Sequence, residues 1–225
     1  MERSETFKGT ITKSVQLKYL WFEPNGIRTG ERRPLVLFLH GAGERGDDLS
    51  LLHRHGVPRM TADESDWPFF ACSPQCPADS TWLVEDDAVM ALLDSLLARH
   101  PIDPDRVYLT GLSMGGGGTW HLGAAYPDRF AALAPICGES SPYRLQPIAR
   151  MGVPVWVFHG IDDGVIPVHH TERAVQALRD AGAEPRVTLY PDTDHDSWTR
   201  TYEDPEFWTW LLAQRRNNKR ADPNR

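Results

Sequence analysis

The chain has 225 residues, 40% of them hydrophobic, so it can bury a substantial core, and we expect one domain over residues 1–225. A formal charge of −7 and a pI near 5.7 argue against a nucleic-acid partner. No apolar run has the character of a secretion signal or approaches the length of a membrane span. We therefore expect no membrane partner and a cytoplasmic location by default, although a secreted chain whose signal was removed would look the same. The sequence gives no indication of the oligomeric state.

Two weak β patterns begin the chain, TFKGTIT at 6–12 and VQLKYLWFE at 15–23, and they favour an antiparallel edge. Five continuous apolar runs follow, each of the length expected for a strand buried on both faces. They lie at 34–40, 106–112, 129–137, 153–160 and 186–191. Residues 1–5 and the basic, polar stretch 217–225 lack such a pattern, and we predict that both are frayed termini.

Helical patterns alternate with these runs. Apolar residues recur at helical spacing over 85–100 and over 168–182, and the second segment ends in Gly182, which suits a C-terminal cap. Alternation of strand and helix is typical of a mostly parallel sheet with helices on both faces. The sequence therefore predicts an α/β protein with a mostly parallel central sheet and an antiparallel N-terminal edge.

The three cysteines, Cys72, Cys76 and Cys137, do not have the spacing of metal ligands. No H-E-x-x-H or C-x-x-C motif is present either, so we predict neither a metal nor a cofactor. We interpret the cysteines as buried free thiols. A disulfide between Cys72 and Cys76 is the alternative.

The stretch LTGLSMGGGGTW, residues 109–120, places a serine and four consecutive glycines between an apolar run and a helix. Its segment GLSMG matches the G-x-S-x-G turn, in which a nucleophilic serine occupies a strained bend between a strand and a helix. Side chains two positions before and after the serine would collide with neighbouring backbone, which explains the glycines at 111 and 115. Ser113 is therefore the candidate nucleophile.

A serine hydroxyl needs a general base, and the base needs an orienting carboxylate. In a fold of this kind the acid and then the histidine follow the serine along the chain, each just after a strand end. HGIDDGVIP supplies Asp162 and Asp163 after one apolar run, and PDTDHDSW supplies His195 after the next. The two aspartates remain alternatives on spacing alone.

Two backbone N–H groups are needed to hold the oxyanion that forms when the serine attacks a carbonyl. We expect one from Met114, the residue after the nucleophile. The other is expected from the glycine-rich loop LHGAGERGDD, which follows an early apolar run. Ala42 is the first candidate in that loop and Gly43 the second.

These segments together resemble a known family. The resemblance is carried by LFLHGAGERGDD, GLSMGG with YPDRFAALAPICG, PVWVFHGIDDGVIPV, and TLYPDTDHDSWTRTY with EFWTWLLAQRR, and it covers residues 17–216. These stretches are similar to compact α/β-hydrolases of the predicted peptidase, phospholipase/carboxylesterase and feruloyl esterase-like groups. The resemblance implies an α/β-hydrolase fold with Ser113 as nucleophile and His195 as base. It also implies Asp163 as the partner of the base, through the pattern G-x-x-D-x-x-[VI]-P.

The chain departs from its relatives at Gly117 and Gly118, since relatives often carry a larger residue at 117. The departure implies closer helix packing or a wider space beside the nucleophile. No insertion between the predicted elements is long enough for a large lid, which favours small, soluble or polymer-attached esters. Trp82 and Trp198 are candidates for lining the substrate cleft, with packing at the end of the sheet as the alternative.

The predicted activity is hydrolysis of short-chain or carbohydrate-linked carboxylic esters, such as acetyl and feruloyl esters, through an acyl-enzyme intermediate. A serine peptidase that acts on small peptides is the second hypothesis, because the catalytic groups would be the same. A non-catalytic binding protein with a hydrolase fold is the third.

Overall fold

The computed structural model describes residues 2–10, 12–64 and 66–216. Seven strands form one sheet in the order β1-β3-β2-β4-β5-β6-β7. Their bounds are β1 Tyr19–Phe22, β2 Arg33–Leu39, β3 Phe70–Pro74, β4 Ile102–Leu112, β5 Ala132–Ile136, β6 Trp156–Gly160 and β7 Arg186–Tyr190. β1 pairs antiparallel with β3, and the other neighbouring strands pair in parallel. This is the predicted α/β-hydrolase sheet, with its antiparallel N-terminal edge.

Helices cover both faces of the sheet. On one face lie α2 (Asp86–Arg99), α3 (Met114–Ala125), α4 (Gln146–Met151) and α5 (His169–Asp180), which contribute to one apolar core. On the other face lie α1 (Gly56–Asp63), α6 (Trp198–Tyr202) and α7 (Pro205–Ala213), which contribute to a second core rich in aromatic rings. Because both faces are covered, the central strands read as continuous apolar runs rather than as alternating patterns.

The five predicted buried strands are all present, and so are the helices predicted over 85–100 and 168–182. Gly182 has a φ of +85° and donates its N–H to the Arg179 carbonyl, so the predicted glycine cap is confirmed. β3 was not predicted, and neither were α1, α4, α6 and α7. Of the two termini predicted to be frayed, residues 2–5 belong to no strand or helix. The other, 217–225, is not among the described residues.

The strand predicted at 6–12 is wrong for the residues of that segment that the structure describes. Every described residue from 2 to 16 is exposed, including Phe7. A strand gains stability from cross-strand pairs and from burial of one face, and this segment has neither. The edge of the sheet is instead formed by β1, from the second predicted segment.

Within the described ranges, none of the helices combines the length and the apolar character that a membrane crossing requires.

Cys72, Cys76 and Cys137 are buried free thiols, so the alternative of a Cys72–Cys76 disulfide is wrong. Burial raises the pKa of the Cys72 thiol well above its ordinary value, and it raises the pKa of Cys76 to about 12. Because a thiolate is the reactive form, buried thiols that stay protonated react slowly with disulfide reagents.

We expect the native protein to react negligibly with Ellman's reagent at pH 8, since none of the three thiols is both exposed and ionised. Full reaction of three thiols is expected after unfolding in guanidinium chloride, and absorbance at 412 nm measures both states. Stoichiometric reaction of one thiol within minutes in the native protein would contradict the buried placement.

Candidate active site

Ser113 occupies the turn between β4 and α3 with φ 55° and ψ −118°. A positive φ is unfavourable for a residue with a Cβ, and such backbone strain is concentrated at functional sites. The turn places the side chain at the carboxyl end of β4, where ligands of open parallel sheets bind.

The glycines around Ser113 are required by close backbone contacts. A Cβ at Gly111 would lie 2.5 Å from the carbonyl oxygen of Gly115, and a Cβ at Gly115 would overlap the carbonyl oxygen of Leu39. A Cβ at Gly116 would overlap the carbonyl oxygen of Ile136. The predicted lack of room at 111 and 115 is therefore confirmed.

Ser113, His195 and Asp163 are brought together although they are far apart in the sequence. Ser113 Oγ lies 2.9 Å from His195 Nε2, and His195 Nδ1 lies 2.8 Å from Asp163 Oδ2. An ionised carboxylate only accepts hydrogen bonds, so we assign the proton to Nδ1 and leave Nε2 free to accept from the serine hydroxyl. Asp162 is exposed and its N–H donates to the Thr193 carbonyl, so Asp163 is the aspartate that reaches the histidine.

Asp163 is held by a buried set of donors. Its Oδ1 accepts hydrogen bonds from the N–H groups of Val165, at 2.9 Å, and Ile166, at 2.8 Å. The side chain of Asp163 is fully buried, and its Oδ2 lies 3.2 Å from His159 Nε2 as well as near His195. Each carboxylate oxygen thus has two donors, which offsets the cost of burying the charge.

His159 was not predicted to belong to the site. Its Nε2 lies 2.8 Å from the Ile166 carbonyl oxygen and its Nδ1 lies 2.7 Å from Thr171 Oγ1. Nε2 faces two acceptors, the Ile166 carbonyl and the Asp163 carboxylate, so we assign it the proton, and Nδ1 then accepts from the threonine. Burial lowers the pKa of His159, which keeps this ring neutral. The signal that could have identified it is its position four residues before Asp163, at the end of a buried strand.

Asp194 joins the loops that carry the acid and the base. Its Oδ1 accepts from the N–H groups of Gly164, at 3.0 Å, and His195, at 2.8 Å. These hydrogen bonds lower the pKa of the Asp194 carboxyl, so it is ionised at neutral pH. Gly160 permits the close approach, because a Cβ there would overlap the carbonyl oxygens of Thr193 and Asp194.

The glycine-rich loop after β2 lies beside Ser113. Ala42 begins a short 3₁₀ helix and Met114 begins α3. The first N–H groups of a helix have no acceptor within the helix, so both residues can offer a backbone donor. Both also line the cleft that contains Ser113.

His40 anchors this loop to the neighbouring segment. Its Nε2 accepts the N–H of Cys76 at 2.9 Å, and its carbonyl accepts the Trp82 indole N–H at 2.9 Å. Burial lowers the pKa of His40 to about 4, so the ring is neutral and can accept. The carboxylate of Glu44 is also buried here, 3.9 Å from His40 Nδ1.

The structure corrects the prediction for Trp82 and places Trp198 beside His195. Trp82 is fully buried and packs against the position where a Cβ of Gly118 would lie, so its ring cannot contact a substrate. Trp198 is 9% exposed, and its ring contacts the His195 imidazole edge to face at 5.3 Å, so it packs against the base of the site. Trp82 lies between β3 and α2 and fills a gap that only tertiary packing creates, and no sequence pattern indicates such a placement.

Cys137 follows β5 and approaches the same group of side chains. The ligand atoms of Cys137, Asp163 and His195 lie within 4.8 Å of one another, and in the described part of the chain they form the one cluster that could hold a metal ion. The carboxylate and the imidazole are already hydrogen-bonded to each other, however. Burial raises the pKa of the Cys137 thiol to about 12, and a protonated thiol is a poor metal ligand.

A cleft of about 1030 Å³ opens beside Ser113. It runs along α3 and is closed on its other side by the segment between β5 and α4. Its lining includes Ala42, Ser113, Met114, Gly117, Trp120, His121, Ala125, Ser140, Tyr143, Gln146 and Arg150. A Cβ at Gly117 would be 3.2 Å from the Glu139 carbonyl oxygen, which is a close contact, and Gly118 provides close packing against Trp82. Gly117 also lines the cleft beside the nucleophile.

Replacing Gly115 by alanine should lower the free energy of unfolding by about 2 kcal/mol or more, because the new methyl group overlaps backbone that cannot move aside. Gly117→Ala is the matched control, and we expect a change of less than about 1 kcal/mol because the neighbouring carbonyl needs to shift only slightly. Urea unfolding followed by circular dichroism measures both. Equal stability of the two variants would contradict the proposed contact with β2.

Comparison with known proteins finds relatives whose names include the word esterase. NocK of Nocardia uniformis subsp. tsuyamanensis, which is named as an esterase, is 30% identical over 175 residues, covering 72% of this chain and 49% of NocK. The bifunctional acetylxylan esterase/xylanase XynS20E of Neocallimastix patriciarum is 29% identical over 139 residues, covering 58% of this chain and 19% of that protein. The crystal structure of a thermostable esterase is similar with a TM-score of 0.80 and 35% identity.

The alignment with the thermostable esterase covers 90% of this chain and 60% of the solved one. The chain thus spans about half the length of NocK, 49%, and somewhat more of the esterase of known structure. Residues 77–221, which include the serine turn and the segments with Asp163 and His195, match the dienelactone hydrolase family. The chain belongs to the dienelactone hydrolase family.

Proposed function

We propose that the protein is a serine-type carboxylic-ester hydrolase. The observation that carries the proposal is the unbroken chain of hydrogen bonds from Ser113 through His195 to Asp163, at the mouth of a cleft. A hydroxyl, an imidazole and a carboxylate in this order form the arrangement that activates a serine for acyl transfer. The esterase names of NocK and of the thermostable esterase support the same reaction.

In the proposed reaction His195 Nε2 accepts the hydroxyl proton of Ser113 as Oγ attacks the ester carbonyl carbon. Asp163 stabilises the imidazolium that forms, and the N–H groups of Ala42 and Met114 hold the oxyanion. His195 then donates the proton to the leaving alcohol, which gives the acyl-enzyme. His195 then accepts a proton from water as the water attacks the acyl carbon, and it returns that proton to Ser113 Oγ as the carboxylic acid leaves.

Ser113 is a better candidate for the nucleophile than the nearby Cys137. The Cys137 thiol is fully buried and its raised pKa keeps it protonated, whereas the Ser113 hydroxyl is partly exposed and contacts the base. A protonated, inaccessible thiol does not attack a carbonyl.

The proposed substrates are short-chain or carbohydrate-linked esters. The cleft is open rather than tunnel-shaped, and its lining mixes small apolar residues with hydroxyl, amide and charged side chains. The acetylxylan esterase part of the name of XynS20E supports the carbohydrate-linked class.

Ser113→Ala should reduce kcat/KM for p-nitrophenyl acetate by about 10⁴-fold or more, since the nucleophile is lost. Ser95→Ala, at an exposed serine of α2, is the matched control and should retain wild-type activity. Steady-state assays should include p-nitrophenyl butyrate, p-nitrophenyl octanoate and an aminoacyl-p-nitroanilide. Preference for the anilide would favour a peptidase instead, and turnover that does not depend on Ser113 would refute the proposed nucleophile.

His159 should act as a positioning residue for Asp163, because it shares its Nε2 proton between the carboxylate and the Ile166 carbonyl. We expect His159→Leu to lower kcat for p-nitrophenyl acetate by about tenfold or more while KM changes by less than about threefold, since two buried acceptors lose a donor. His159→Gln retains a side-chain N–H and should recover part of kcat.

The folded fraction of each His159 variant should be measured by thermal unfolding and used to normalise the rates. An unchanged normalised kcat in His159→Leu, or an equal loss in the leucine and glutamine variants, would contradict the positioning role.

A further inference from the structure

The cleft beside Ser113 is elongated along one helix. Met114, Gly117, His121 and Ala125 lie about one helical turn apart on α3, and all of them line the cleft. At 1.5 Å per residue, the floor from Ser113 to Ala125 is about 18 Å long. A short acyl group occupies only the beginning of such a cleft.

The wall opposite α3 is formed by the segment between β5 and α4, and it is mostly polar. Ser140 and Ser141 contribute hydroxyl groups, of which Ser140 Oγ donates to the His170 carbonyl. Arg150 contributes a guanidinium group, which donates to the side-chain oxygen of Gln146. Tyr143 lines the same wall and is 93% exposed, so its ring offers an apolar face without a partner from the sheet or its helices. An alternation of hydrogen-bonding groups with an aromatic face suits a ring with hydroxyl groups at its edge and C–H groups on its faces.

A buried polar atom in the cleft wall is also without a partner. Trp120 lines the cleft and is 1% exposed, and its indole Nε1 makes no hydrogen bond to any residue that the structure describes. Because this nitrogen is itself buried, the N–H does not contact a ligand in the cleft, and Trp120 contributes an apolar part of the wall.

Gly117 determines how much room lies between Ser113 and the rest of the cleft. Residue 117 is one helical turn after Ser113, and a helical side chain extends back over the preceding turn. A Cβ at this position would lie 3.2 Å from the Glu139 carbonyl oxygen on one side, and Gly117 borders the cleft on the other, so the free space for a larger side chain is the cleft. Glycine at 117 therefore leaves open the passage from the nucleophile to the distal cleft.

We propose that this cleft is a subsite for the sugar portion of a carbohydrate-linked ester. Gly117 determines the specificity for that portion, and Tyr143 is the stacking surface. The proposal rests on the ester-hydrolase function proposed above, in which the acyl group is small and the sugar is the leaving alcohol. A fatty chain is the competing occupant, since α3 supplies an apolar floor, and it would use neither the guanidinium group of Arg150 nor the hydroxyl group of Ser141.

The test compares kcat/KM for an acetylated xylotriose with kcat/KM for p-nitrophenyl acetate. In Gly117→Leu we expect the ratio of the two values, sugar ester over small ester, to fall by at least about tenfold, because leucine fills the passage. Ser95→Ala, at an exposed position of α2, is the control and should leave the ratio unchanged. Gly117→Ala adds a single methyl group, so the ratio should fall less than it does in Gly117→Leu.

Tyr143→Ala provides a second variant whose folding is not in question, since the side chain is almost fully exposed. We expect KM for acetylated xylotriose to rise by about tenfold while kcat changes little, because stacking contributes to binding of the sugar and not to the chemical step.

An unchanged ratio in Gly117→Leu, or an equal fall in the leucine and alanine variants, would overturn the subsite. The subsite would also be overturned if Gly117→Leu lost turnover of p-nitrophenyl octanoate and kept turnover of acetylated xylotriose, because the cleft would then hold a fatty chain. Failure of the proposed function is distinguishable, because turnover of p-nitrophenyl acetate would then be absent or independent of Ser113 in the wild-type protein.

Discussion

The close contact between the start of α3 and the ends of β2 and β5 is the constraint from which the site follows. Gly115 and Gly116 leave no side chain between the first turn of α3 and the carbonyl oxygens of Leu39 and Ile136. The helix can therefore begin directly at the strand ends, which requires the backbone of Ser113 to take a positive φ. The strain is compensated by the packed backbone on both sides, and it fixes the hydroxyl at the carboxyl edge of the sheet, within reach of His195.

Burial assigns different electrostatic roles to the histidines around the site. His40 and His159 are buried and their pKa values are lowered, so they remain neutral and hold loops through fixed hydrogen bonds. His195 is more exposed, with 18% of its side chain accessible, and it faces the buried Asp163 carboxylate. A neutral His159 can donate to Asp163 without adding a positive charge there, so the cation that the carboxylate stabilises during the proposed reaction is the imidazolium of His195.

The parts of the fold that could be predicted are those in which the hydrophobic pattern of a segment matches its burial in the structure. The continuous apolar runs gave five strands because both faces of the sheet are covered, and the order of strand ends placed Ser113 and His195 at one edge. β3 was missed because FACSP is short and polar in part, and it depends on pairing with β1 and β2. Trp82 was misassigned because the gap at Gly118 that receives it exists only in the tertiary structure.

The four consecutive glycines also show how one sequence pattern can have several physical causes. Gly115 and Gly116 are required by backbone contacts, and Gly118 by the ring of Trp82, so at each of these positions a methyl group would meet occupied space. Gly117 faces the cleft, where only one carbonyl oxygen is close. A methyl group at 117 would require only a slight shift of that carbonyl, whereas glycine destabilises a helix interior by about 1 kcal/mol relative to alanine. The space that Gly117 leaves beside the cleft is therefore a second reason for glycine at this position.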